Sequence, residues 1–154
     1  GYAHSEGAEQ PIIGVFALSA VGPGARTIEL TVDGALLACT VLMIEIAGLD
    51  NADLLANLST VEDAGHSYSH SYTPNAAGNL ILSVLASRRG QRGPFTPDDG
   101  MVLLQDESSG PNVLDAHSVF VGYKVAEGTS AGNVGADYAY LTPMIFLVTE
   151  LNSA

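Results

Sequence analysis

The residues best equipped for chemistry in this chain are His66, Tyr68, His70 and Tyr72, at alternate positions of the run G-H-S-Y-S-H-S-Y-T. Alternate side chains of an extended strand point to one face, so these four form a stripe, and Ser67, Ser69, Ser71 and Thr73 form the opposite one. Histidines four positions apart on a strand are separated by about 13 Å. Imidazole–metal bonds are about 2 Å long, so His66 and His70 cannot share an ion on a straight strand without His117 or a histidine of another copy. A tyrosine–histidine face can stack on a sugar or pack in an interface, and the plainer reading is a half-buried strand face.

Other reactive combinations are weaker. Asp50, Asn51 and Asp53 lie close together, as do Asp98 and Asp99. Oxygen-rich loops can hold Ca²⁺, but neither segment has the D-x-[DN]-x-[DN]-G spacing and turn formation accounts for both. The sequence holds no G-x-S-x-G elbow, H-E-x-x-H, P-loop or G-x-G-x-x-G. Nothing among the 17 acidic residues singles out a catalytic pair. The expectation is a protein that is not an enzyme and needs no cofactor. Cys39, the single cysteine, sits in A-L-L-A-C-T-V-L-M-I and reads as a small buried hydrophobe.

The elements that would position these residues read as strands. With 154 residues, 17 glycines, 47% hydrophobic and 14% charged residues, the composition suits one all-β domain rich in turns. Residues 1–10 are polar and small and read as a flexible arm; 11–152 read as a single domain. Ile12 to Leu18 is a first strand. In Arg26 to Val32, Ile28, Leu30 and Val32 alternate with Thr27, Glu29 and Thr31. Asp33-Gly34 marks a hairpin turn.

Leu36 to Ile46 reads as a strand apolar on both faces, although Leu, Ala and Met would also suit a helix. Leu49 to Ala64 suggests a short helix or a loop. Leu80 to Ser87 reads as a core strand with Leu80, Leu82, Val84 and Ala86 inward. Met101 to Gln105 follows the P-D-D-G turn. Ala116 to Ala126 places Val119, Val121, Tyr123 and Val125 on one face. G-T-S-A-G-N-V-G at 128–135 reads as a long loop, and Tyr138 to Leu151 as the last strand, broken at Pro143. This amounts to about eight or nine strands in an antiparallel sandwich, jelly-roll-like in character.

Net charge is −12, which argues against nucleic acid or an anionic membrane as partner. The longest apolar run, Ala35 to Ile44, is half the length of a membrane span. Arg88, Arg89 and Arg92 are three of the five basic residues and share one loop, S-R-R-G-Q-R-G. Either they form a solvated loop or they dock on an acidic face of another copy. The doubly apolar runs at 36–46 and 144–148 need a second cover, from a loop or another subunit. Leu37, Met43, Met144 and Phe146 are therefore candidate subunit contacts, with Arg88, Arg89 and Arg92 as polar anchors.

Several segments carry a family likeness. I-E-I-A-G-L-D, P-N-A-A-G-N-L-I-L-S-V-L-A, P-F-T-P-D-D-G-M-V-L-L-Q-D-E, Y-K-V-A-E-G and M-I-F-L-V, spanning roughly residues 40–150, resemble a β-sandwich domain of tailed-phage virion proteins and related bacterial exported proteins. Met101 stands where that family usually has Trp. The resemblance implies a structural virion component, of the capsid decoration (cement), head spike or tail type, located on the virion or outside the cell. Its partners would be other copies of itself and a major capsid or tail protein. It supplies no catalytic residues. The alternative is a carbohydrate-binding module, with His66, Tyr68, His70 and Tyr72 as the glycan face.

Overall fold

The computed structural model describes residues 2–4, 12–14, 27, 29, 31, 41–50, 55–63, 67–87, 95–98, 100–108, 118–137 and 144–154. Among them every regular element is a β-strand, and none is a helix. The strands are β1 (Tyr2–His4), β2 (Ile12–Gly14), β3 (Leu55–Asp63), β4 (Ser67–Tyr72), β5 (Leu80–Ser87), β6 (Thr96–Pro97), β7 (Val102–Ser108), β8 (Ser118–Val125), β9 (Gly132–Asp137) and β10 (Met144–Leu151). They form a five-stranded sheet in the order β3-β10-β5-β8-β7, a three-stranded sheet β4-β9-β6 and a two-stranded ribbon β1-β2. All the strand pairs are antiparallel.

The last strand is the organising one. β10 enters between β3 and β5, and all eight of its residues are buried. Its two faces meet different neighbours. Met144, Phe146 and Val148 join Ile81 and Leu85 of β5, Phe120 of β8, and Tyr72, Val134 and Ala136 of the three-stranded sheet in the main core. That cluster is the filling between two facing sheets, the arrangement of a β-sandwich. Ile145 and Leu147 project the other way and pack with Ala86, Val84 and Val119.

The outer cluster also has a cover. β1 and β2 approach β10, and β2 approaches β5. Both lateral edges of β10 are already paired, and its inner face meets the three-stranded sheet, so the ribbon lies over the outer face. A strand apolar on both sides thus finds both covers within its own chain. Tyr2–His4, inside the segment expected to be an arm, pairs with Ile12–Gly14.

Several expectations change. Val41–Ile46 carries no strand pairing and is exposed at Val41 to Glu45, although its sequence favours a strand. Leu55–Asp63, expected as helix or loop, pairs along β10 instead. Its L-A-N-L-S-T-V lacks a clear alternation, and the long-range partner decides its state. The segment read as a loop at 128–135 contains the start of β9, where β4 supplies the partner.

β5 does bury Leu82 and Ala86, but Ile81, Ser83, Leu85 and Ser87 are buried more deeply on the opposite side, so the strand is covered on both faces. On β8 the main-core residue is Phe120, while Val125 is exposed. The strand expected at Arg26 to Val32 falls largely outside the described residues; Thr27, Glu29 and Thr31 are exposed.

Gly122 shows how closely the core is fitted. A Cβ there would stand 2.6 Å from Phe120 Cζ and 3.2 Å from Met101 Cε. Gly122→Ala is expected to destabilise the fold by about 1–3 kcal/mol through overpacking. Urea unfolding checks this, and Phe120→Leu added to Gly122→Ala should recover part of the loss.

Candidate functional site

The described part of the tyrosine–histidine stripe, His70 and Tyr72, turns inward. Tyr72 is buried, and its hydroxyl donates to Glu150 Oε2 at 2.6 Å. The half-buried His70 ring meets Phe146 edge-on, with centroids 6.0 Å apart. These two residues therefore serve the core rather than an open ligand face. The side chain of Tyr68 and all of His66 lie outside what the structure describes, as do Arg88, Arg89, Arg92 and Leu37. Met144 and Phe146 are each 1% exposed. Expected as subunit contacts, they are instead consumed by the chain's own core, because β10 sits in mid-sheet.

Glu150 is the residue that sequence reasoning missed. It is fully buried in β10. Oε1 accepts from Asn79 Nδ2 at 2.7 Å and from the Asn75 N–H at 2.8 Å, and the Asn75 N–H also reaches Oε2 at 3.1 Å. Asn79 Nδ2 also reaches Asn152 Oδ1 at 3.2 Å, and Asn79 Oδ1 accepts from the Ser153 N–H. The P-N-A-A-G turn, with Gly78 at φ 87°, aims its N–H groups at the carboxylate. Burial pushes the carboxyl upward. Hydrogen bonds from Tyr72, Asn79, Asn75 and Ala76 together outweigh it, holding Glu150 below the usual carboxylate range. Without solvent access, this group is an anchor between turn and strand.

A second acidic arrangement lies on the three-stranded sheet. Gly135, at φ 137°, stands between Ser69 of β4 and Asp98, whose N–H donates to the Gly135 carbonyl at 3.0 Å. With no side chain at Gly135, the Asp98 carboxyl meets the Ser69 hydroxyl across the strand. Burial pushes Asp98 up, Ser69 opposes this, Asp137 adds to the rise and Lys124 opposes it. Lys124 Nζ donates to the Asn133 carbonyl. No group of three or more metal-ligating side chains occurs among the described residues.

The exposed feature is apolar. β7 pairs with β8 on one side and forms an edge of the five-stranded sheet. Val102, Leu103, Leu104 and the adjacent Val125 are all exposed, and the register slips between Leu103 and Gln105, leaving Leu104 opposite no residue of β8. A bare apolar edge is a template for another strand. The second exposed run is Val41–Ile44. Val41 and Met43 are 63% and 74% exposed, Leu42 and Ile44 40% and 39%. That alternation is the mark of an extended chain. Met43, a predicted subunit contact, is the most exposed residue of the run.

A scan against protein-family models finds no match. Searches of the curated proteins and of the solved structures find none either.

Glu150 sets the acid response. A carboxyl held low in the folded state contributes stability that is complete above its unfolded value of 4.5 and is lost as pH falls through the folded value. Glu150→Gln is expected to cost about 2–4 kcal/mol at neutral pH, and Tyr72→Phe about 1.5–3 kcal/mol. Thermal melts from pH 7 down to pH 3 check both, and the Gln variant should show the shallower loss of stability in acid.

Proposed function

We propose that this chain is a non-enzymatic structural protein that assembles with copies of itself on the surface of a viral particle of the tailed-phage kind, in the manner of a decoration or cement protein. The observation that carries the assembly part is the open β7 edge, with Val102, Leu103 and Leu104 facing solvent. Exposed apolar groups clustered on one edge favour a protein contact. The net charge of −12 points the same way on partners, since nucleic acid would repel it.

The viral part rests on the sequence resemblance, and so does the jelly-roll character of the sandwich. Under this reading a major capsid or tail protein is the surface on which the copies settle. The glycan-binding alternative has less support, because Tyr72 is spent on Glu150 and His70 on Phe146.

Native mass spectrometry of the purified chain over a range of concentrations tests the assembly reading. A discrete homo-oligomer is expected. A monomer at every concentration would remove it.

A further inference from the structure

We infer that the extended segment Val41–Ile46 of one copy adds as an antiparallel strand to the β7 edge of another copy. The inference rests on the assembly reading above and names the contact that would carry it. The segment has the composition of a strand, V-L-M-I-E-I, and the alternating exposure of one, yet among the described residues it has no strand partner. β7 has the complementary deficit: one side is paired to β8, and among the described strands none pairs with the other. Strand addition satisfies both at once, with main-chain hydrogen bonds giving affinity and alternate side chains giving fit.

Within one copy the two elements are held apart. The chain just after the segment is tied to the C-terminal tail: the Ala154 N–H donates to the Gly48 carbonyl at 3.0 Å, and the Asp50 N–H to the Asn152 carbonyl at 2.9 Å. That tail follows β10, which lies three positions from β7 in the sheet order. A second copy has no such tether to the first.

Charge selects the direction. β7 is apolar at its start, Val102 to Leu104, and acidic further on at Asp106 and Glu107. A parallel alignment would set Glu45 beside this acidic end. An antiparallel one brings Glu45 to the apolar start and sets Met43 and Ile44 against Leu104 and Leu103, which avoids like charges across the pair. Each copy carries both a donor segment and an acceptor edge. The contact therefore closes as a reciprocal dimer or a ring, or runs on as a filament.

The test combines native mass spectrometry with hydrogen exchange on the intact chain and on two variants, Met43→Pro and Leu104→Lys. Among the described residues Val41–Ile46 has no strand partner, and Leu104 is exposed at the bulge, so both variants should keep the wild-type melting transition. The expected result is an oligomer in which amides of 41–46 and 102–104 exchange at least about tenfold more slowly than in the dilute monomer, and which both variants dissociate. An oligomer without that protection, or one that survives Met43→Pro, overturns the strand addition and leaves the assembly reading standing. A wild-type chain that stays monomeric overturns both.

Discussion

The fold depends on a strand that has no solvent side. β10 is flanked by β3 and β5, its inner face meets the three-stranded sheet and its outer face lies under the β1-β2 ribbon. Every polar group it carries must therefore be satisfied from within. Most of β10 meets this condition simply by being apolar. Glu150 meets it by drawing four donors, from Tyr72, Asn75, Ala76 and Asn79, onto one carboxylate. An unpaired buried charge would be prohibitive. The same requirement fixes where the 74–79 turn sits, and through Asn79 and Ser153 it fixes the tail as well. The tail in turn holds Gly48 and Asp50. A single carboxylate thus ties together three segments far apart in sequence.

The position of β10 also shapes how the chain must fold. β3 and β5 become neighbours of one strand that arrives last in sequence, some sixty to ninety positions downstream of them. Pairings of such separation pay loop-closure entropy before they return contact energy, which places this topology among the slower folders. Until β10 inserts, β3 and β5 each expose an edge. The five polar residues of β3, Asn57, Ser59, Thr60, Glu62 and Asp63, are suited to a strand that waits in water.

Legibility from sequence followed the locality of the signal. The bounds of β5 were readable because turns flank a short apolar run, although not which of its faces lies deeper, and β4 was readable because strict alternation leaves one interpretation. The sense of β4 could be read too, as far as the pairing of His70 and Tyr72 on one side, but not that this side faces a core. That depends on Phe146 and Glu150, more than seventy residues away. β3 and β9 escaped because their strand character comes from partners rather than from propensity. Glu150 was hidden for a similar reason. In M-I-F-L-V-T-E-L it reads as the polar end of a strand, and only the turn N–H groups brought over it show that it is interior. The segment at 41–46 failed in the opposite direction: its residues favour a strand, and the described residues of its own chain supply no partner.

That failure and the bare β7 edge are two sides of one imbalance. Proteins usually guard an edge with charge, proline, a bulge or a cover. β7 has a bulge at Leu104 and acidic residues beyond it, while the stretch from Val102 to Leu104 remains apolar and exposed. The overall charge of −12 opposes indiscriminate association, since every approach of two copies brings like charges together. Such a field does not forbid contact. It restricts contact to orientations in which the acidic ends stay apart and apolar groups meet. An acidic chain with a short unguarded apolar edge can therefore remain soluble and still be selective about what it joins.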